Sequence, residues 1–387
     1  MAYTFPMRLA INGYFWNRPN TGSGQYTRQL ATHLDRLVSD LEITLILPEL
    51  PGETRPENVP PDVKVVALPV RPGHLGKVAF EQRAFPRACR EVGATIAHVP
   101  YWGSPLQPPV PTVVTVHDVT TLLVREYRRG LGARLYTALV SAGARAANQV
   151  ITDSEASKVD IVRHLGISEE RVSAIHLAAG PEYTPEANFL VEMAIRGKYG
   201  LPESYILYLG GYEIHKNVVT LLEAYTYVTQ ALGEDYPLVL AGKKPERASS
   251  RFPDYDAIIE QLGLAESVIW AGYINEADKP AVYRGASTFV FLSWNEGFGL
   301  PPLEAMACGV PVVTSNASSL PEVIGEAGFS LDPDDARQIG GSIIATIVQE
   351  ELAAELKQKG LKRAAEFSWE QTTTKTLLVY DSLVDHN

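Results

Sequence analysis

The run TFVFLSWNEGFGLPPLEAMACGVPVVTS (288–315) spells out a complete strand–turn–helix–strand unit. TFVFLS (288–293) is apolar on both faces, as a strand buried inside a parallel sheet must be. Gly297 and Gly299 then make a turn in which backbone N–H groups can approach a ligand closely. Pro302 suits the first turn of a helix, Gly309 its end, and Pro311 lies just beyond, before the next strand PVVTS (311–315). This reading puts Glu296 in the loop and Glu304 within the first turn of the helix. Two carboxylates so placed can accept hydrogen bonds from sugar or ribose hydroxyls, while the N–H groups and the positive helix end favour a diphosphate.

The same alternation runs outward in both directions. Short β-branched segments stand at 7–13, 43–48, 63–69, 94–99, 112–118 and 149–154, then at 205–211, 237–242 and 267–273. Helical patterns separate them, for example at 24–38, 217–232, 276–285 and 302–308. Buried strands alternating with helices indicate parallel sheets built from βαβ units. Eleven strands are too many for one sheet, so two doubly wound domains are expected, with the Pro-rich, aperiodic segment 178–189 as linker. In such sheets ligands gather at the carboxyl ends of the strands.

A chain of 387 residues, 45% hydrophobic and 20% charged, is long enough for two globular cores. The net charge of −11 argues against nucleic-acid binding. Residues 1–190 hold 19 basic and 18 acidic side chains, leaving 15 and 27 for the remainder, an asymmetry that fits two domains with different partners. Cys89 and Cys308 read as buried thiols of a reducing compartment. MAYTFPMRLAINGYF, at the start, has neither the basic region nor the long apolar run of a signal peptide. A cytoplasmic protein is expected.

The pair of glutamates in EGFGLPPLEAMACGVPVV closely resembles the signature of the family-4 (group 1) retaining nucleotide-sugar glycosyltransferases of GT-B fold. The resemblance implies two Rossmann-like parallel-sheet domains facing a central cleft. Residues 1–185 would form the acceptor-side domain, completed by 367–387, and 190–366 the donor-binding domain. It places Glu296 by the donor sugar, Glu304 on the nucleotide ribose, and the backbone of Phe298, Gly299 and Leu300 against sugar and diphosphate. YLGGYEIHKNVVTLLEAY (208–225) resembles the family's phosphate-binding segment, with Gly211 in its turn and Lys216 as the phosphate-clamping lysine. His215 stands where the family usually has an arginine. VIWAGYINEADKPAVYRGASTFVFLS (268–293) is similar to the segment whose backbone, here Gly272 and Tyr273, meets the nucleobase; Lys279 occupies a place that is commonly apolar.

Towards the start, PNTGSGQYTRQL (19–30) resembles the family's glycine-rich loop, with Gly22 and Gly24 against the donor phosphate. PTVVTVHDVTTL (111–122) is similar to the strand ending in the family's functional histidine, His117, with Asp118 to orient it or to cap the next turn. VITDSEASK (150–158) and FSWEQTTTKTLLVYDSL (367–383) match as well. The implied activity is retaining, metal-independent transfer of a hexose, mannose or glucose in type, from a GDP- or UDP-linked sugar. The acceptor would be a glycan, a lipid-linked molecule or a small molecule, and no cofactor beyond the donor is implied. A catalytically silent sugar-nucleotide binder and a nucleotide-sugar epimerase share the fold and remain as alternatives.

The stretch 122–147 carries Arg125, Arg128, Arg129, Arg134 and Arg145 against Glu126 alone. It reads either as peripheral contact with the inner membrane face or as a solvated face beside an acceptor groove. Asp332, Asp334 and Asp335 read as a helix cap rather than a metal site. No zinc spacing and no G-x-S-x-G elbow occur, and GSGQYT (22–27) lacks the third glycine of a dinucleotide fingerprint.

Overall fold

The computed structural model describes residues 7–18, 20–38, 40–49, 56 and 58–384. The first six residues, on which the reading of the start rests, Pro19 of the glycine-rich loop, and the last three residues lie outside the described ones.

Among these residues the chain divides into two compact units, Met1–His176 with Trp369–Asn387, and Leu177–Ser368. Unit 1 holds a seven-stranded parallel sheet: β1 (Met7–Asn12), β2 (Leu41–Glu49), β3 (Lys64–Pro69), β4 (Ile96–Val99), β5 (Thr112–Thr115), β6 (Gln149–Thr152) and β7 (Val172–Ala174), in the order β3-β2-β1-β4-β5-β6-β7. Its helices include α1 (Gly22–Leu37), α2 (His74–Ala79) and α3 (Leu131–Ala146). Unit 2 holds six parallel strands: β8 (Ile206–Leu209), β9 (Leu238–Ala241), β10 (Val268–Gly272), β11 (Thr288–Phe291), β12 (Val312–Ser315) and β13 (Phe329–Leu331), in the order β10-β9-β8-β11-β12-β13. Its helices include α4 (Val218–Leu232), α5 (Leu300–Ala307) and α6 (Ala336–Val348).

The doubly wound class expected from the alternation is the one observed. Each sheet begins at its centre, winds outward, then returns to the other side of its first strand. The reversal falls between β1 and β4 in unit 1 and between β8 and β11 in unit 2. Loops leaving neighbouring strands in opposite directions open a crevice there, the favoured ligand site of such sheets. The central strands β4, β5, β8, β9, β11 and β12 are buried throughout, as parallel strands covered on both faces must be.

Two strands lie beyond the expected set, β7 (VSA) and β13 (FSL), each three residues long at a sheet edge. The helix Trp369–Val384 belongs to unit 1. It buries Trp369, Thr372, Thr373, Thr376, Val379 and Tyr380, and Thr372 donates to the His176 carbonyl at 2.6 Å. Tyr380 meets His98 Nδ1 at 2.6 Å, and His98 Nε2 meets Thr115 Oγ1 at 2.8 Å. Burial, with the nearby charge of His117, pulls the His98 pKa down to about 3. It is a neutral linchpin between β4, β5 and the closing helix.

Candidate functional site

In unit 2 an ion pair joins the loops that leave β8 and β11, where the strand order reverses. After β8 the chain makes a turn of 3-10 helix, Ile214–Lys216, then Asn217 takes a left-handed conformation at φ 55° and α4 begins. Asn217 is fixed there by its Nδ2 donating to the Pro333 carbonyl at 2.7 Å and by Thr220 donating to its Oδ1 at 2.8 Å. Lys216 therefore projects from a rigid corner. Its Nζ donates to Glu296 Oε1 at 2.6 Å and lies 5.5 Å from the Phe291 ring centre. Both charged side chains are largely covered, at 18% and 14% exposure, so the pair is weakly screened.

The Glu296 backbone is itself clamped. Ser318 donates to the Glu296 carbonyl at 2.8 Å and accepts from its N–H at 3.2 Å, and Ser319 donates to the carbonyls of both Glu296 and Phe298. Gly299 has φ 121° and caps α5, and a Cβ there would lie 2.8 Å from Leu320 Cδ2. The backbone conformation favours glycine at this point, and any Cβ would also have to displace the Leu320 methyl. His215 is buried, at 6% exposure, with its carbonyl accepting from the Trp294 N–H at 2.9 Å. Lys216, Glu296 and the His215 backbone are thus brought together. Gly211 lies just before them and accepts from the Tyr208 hydroxyl.

Glu304 lies one turn deeper in its helix than expected. The helix begins at Leu300 rather than near Pro302, with no acidic residue in its first turn, so Glu304 stands in the second turn. Gly299 can end the preceding loop in its left-handed conformation, and the helix starts immediately after it. Glu304 is buried and accepts from the Tyr283 hydroxyl at 2.9 Å. Burial pushes its pKa up to about 7, against the opposing Lys279 charge and Tyr283 hydrogen bond. Lys279 is held by Glu276 at 2.7 Å. Gly272, at φ 71°, follows a break in register at the end of β10, and its carbonyl accepts from the Gly242 N–H at 2.7 Å. Tyr273 beside it is 48% exposed. The Asp332–Asp335 turn is a cap as read: Asp335 accepts from the Gln338 N–H at 2.9 Å.

In unit 1, His117 follows β5 with its Nδ1 2.7 Å from Asp153 Oδ2. Asp153 is 3% exposed. Burial draws the His117 pKa down, but the Asp153 charge and hydrogen bond, with Asp118 and the Pro100 carbonyl, outweigh it and leave the value raised. The Tyr26 ring stands edge-on to the imidazole at 5.1 Å. Asp118 caps the next turn, accepting from the Thr120 N–H at 2.7 Å. The orienting carboxylate is therefore Asp153, which motif reading passed over. Gly22 opens α1 with free space where a Cβ would be, whereas a Cβ at Gly24 would lie 2.1 Å from the Arg18 carbonyl oxygen. Close backbone packing accounts for Gly24.

Residues 193–363 match the family described as Glycosyl transferases group 1, and residues 20–180 match Glycosyltransferase Family 4. O-antigen chain mannosyltransferase B of Escherichia coli is 35% identical over 276 residues, 70% of this chain and 70% of that protein. Serotype-specific mannosyltransferase WbdA of Escherichia coli is 34% identical over 269 residues, 68% of this chain but 32% of that longer protein. Among solved structures, sucrose-phosphate synthase from Thermosynechococcus elongatus superposes with a TM-score of 0.80 at 20% identity, over 98% of this chain and 100% of that one.

Proposed function

The chain belongs to the group 1, family-4 glycosyltransferases of GT-B fold, and from that premise we propose that it transfers a mannosyl residue from a GDP- or UDP-linked donor to a glycan-bearing acceptor, with retention at the anomeric carbon. The mannosyl assignment draws on the relatives named as mannosyltransferases. The observation that carries the mechanism is the Lys216–Glu296 pair at 2.6 Å. An ammonium at a doubly wound crevice is placed to neutralise a diphosphate and to stabilise it as it leaves. When the phosphates take Lys216, Glu296 is released to accept hydroxyls of the donor sugar.

Glu304 would accept from the ribose, and the Gly272–Tyr273 backbone would meet the base. The N–H groups of Phe298, Gly299 and Leu300 at the start of α5 would hold the diphosphate. His215 would act as second phosphate partner beside Lys216. With charge supplied in this way, the reaction needs no divalent metal and no further cofactor. In unit 1, Gly22 would approach the donor phosphate, and His117, held by Asp153, would border the donor sugar.

A cytoplasmic enzyme working at a membrane surface fits the exposed Leu131 and Leu135 on α3 beside the exposed Arg128, Arg129 and Arg134. Among the described residues no helix is long and apolar enough to cross a membrane. Co-sedimentation with anionic vesicles tests that contact, and equal recovery with and without vesicles refutes it.

The test of the activity is incubation with GDP-mannose, or with a UDP-hexose, and an oligomannosyl acceptor in the presence of EDTA. An α-linked product with the donor's configuration, read by NMR, is expected. An inverted linkage, or transfer only after magnesium is restored, overturns the corresponding part. A donor left intact under all conditions overturns the function.

A further inference from the structure

Unit 1 has its own crevice where the strand order reverses between β1 and β4, and a second charged pair sits in it. Lys77 on α2 reaches Glu81 Oε1 at 3.6 Å, with the two side chains 20% and 0% exposed. Glu81 lies in a single π-helical turn, Phe80–Ala84, that continues α2. Such turns interrupt regular helix and concentrate at functional sites. Tyr136 donates to Glu81 Oε1 at 3.3 Å, while the Tyr101 hydroxyl donates to Asn12 Oδ1 at 3.3 Å.

Around the Lys77 ammonium stand four aromatic rings. Their centres lie 5.5 Å (Tyr14), 5.0 Å (Phe15), 5.2 Å (Tyr101) and 5.2 Å (Tyr136) from Nζ. Tyr14 and Phe15 belong to the loop leaving β1, and Tyr101 to the loop leaving β4. Arg18, exposed, shares two of these rings, with its guanidinium carbon 5.5 Å from Tyr14 and 5.8 Å from Phe15. Gly103 lets the wall close: a Cβ there would lie 2.2 Å from the Tyr101 ring and 2.7 Å from Glu81 Oε1.

A buried ion pair is a poor way to stabilise a fold, since well-packed apolar residues do as well or better. This one is also unbalanced. Two cations converge on the same rings with one carboxylate beneath them. Burial pushes Glu81 up to about 7, so its negative charge is incomplete at neutral pH. Burial also lowers the Lys77 pKa, and the Arg18 charge adds to that effect. The cluster holds excess positive charge on an aromatic floor, at the place where a doubly wound sheet binds ligands.

We propose that Lys77 and Arg18 form an anion-binding subsite for a phosphate-type group on the acceptor, with Glu81 as the internal carboxylate that competes with the anion for Lys77. Calling the anion the acceptor's rests on the glycosyltransferase reading; the anion site itself does not. A phosphate on a soluble sugar and the phosphate of a lipid carrier present the same chemistry to these two cations.

The site is tested by calorimetric titration of methyl phosphate into the whole chain without nucleotide, in a Lys216→Ala background that disables the other phosphate clamp. Lys77→Met and Arg18→Gln should each weaken binding about tenfold or more. Glu81→Gln removes a negative charge at nearly constant size and should tighten binding severalfold, the opposite of what structural damage would do. Since Arg18 is exposed, its variant keeps the test valid if Lys77→Met fails to fold. Unchanged affinity in Arg18→Gln, or weaker binding in Glu81→Gln, overturns the proposal.

Two further arms, a hexose 6-phosphate in solution and polyprenyl phosphate in phosphatidylcholine vesicles, identify the source. Arg18-dependent binding of either supports the site, and binding of neither overturns it. Sugar transfer assayed in parallel with Lys216 intact separates the two readings: anion binding without transfer counts against the activity alone.

Discussion

Lys216 and Glu296, eighty residues apart in the chain, meet as a 2.6 Å ion pair across the crevice between β8 and β11. Each is the other's counter-ion; under the proposed function a diphosphate would compete with Glu296 for the lysine and so free a carboxylate as it binds.

Replacing Lys216 by Ala should therefore cost about 2–4 kcal/mol of transition-state stabilisation, roughly thirty- to a thousandfold in kcat/KM. Glu296 loses its partner in the same variant, which adds to the defect. Steady-state kinetics with saturating acceptor decide it, and near wild-type turnover would remove Lys216 from the leaving-group site.

Glu304 makes two pH dependences. Its carboxyl ionises near 4.5 when unfolded and at about 7 when buried in the fold. The folded state binds more protons between those values, so this group's contribution to stability is complete at low pH and lost as pH rises through the window. Glu304→Gln should flatten that part of the unfolding free energy between about pH 5 and 8. A nucleoside whose ribose hydroxyls donate to the carboxylate prefers the ionised form, so its affinity should rise as pH climbs through about 7. Nucleosides carry no titrating phosphate, which makes calorimetry with guanosine and uridine decisive; an affinity that falls over this range contradicts the assignment.

Asp153→Asn should lower the His117 pKa, because the Asp153 charge and hydrogen bond are what overcome burial there. A histidine raised in the folded state gives stability that is full below its unfolded value, 6.5, and lost as pH rises through the folded value. Denaturant midpoints should accordingly fall with rising pH in the wild type more than in the variant. We expect about 1–3 kcal/mol of destabilisation at acid pH from losing the buried partner. NMR titration of the imidazole checks the cause directly, and an unchanged His117 titration would refute it.

The two glycines at the start of α1 should separate cleanly. Gly24→Ala forces a Cβ to within 2.1 Å of a backbone carbonyl, so it should cost about 1–3 kcal/mol of stability or more. Gly22→Ala meets nothing within 4 Å and should leave stability within about 0.5 kcal/mol while weakening the donor. Thermal melts with and without nucleoside diphosphate distinguish the effects. A large loss of stability in the Gly22 variant would end the functional reading of that residue.

The central strands were legible because burial on both faces writes itself as continuous apolar runs such as YILYL and TFVFLS. The edge strands VSA and FSL were not, since three residues with one polar member give no period. Lys216, Glu296 and Glu304 stood out through the resemblance of their surroundings. Asp153 did not, because an Asp before the helix cap Ser154 looks like ordinary helix-start chemistry. Lys77 and Glu81 were passed over for a similar reason: a lysine four residues before a glutamate usually marks a solvated helix face. Only the fold shows that this pair faces inward, toward loops that end β1 and β4. The Ser318 and Ser319 clamps were equally silent, being small polar residues in a turn.

The helix Trp369–Val384 has a consequence for how the protein is made. Unit 1 is interrupted by the whole of unit 2, and Tyr380 must reach the interior position where His98 waits. On a ribosome adding about 5–20 residues per second, roughly 10–40 s separate the emergence of His176 from that of Trp369. During that interval the seven-stranded sheet stands with the faces of Tyr26, His33 and His98 uncovered, while unit 2, continuous in sequence, can fold undisturbed. The later part of the chain is thus expected to mature first, with the earlier part held open until its last helix arrives.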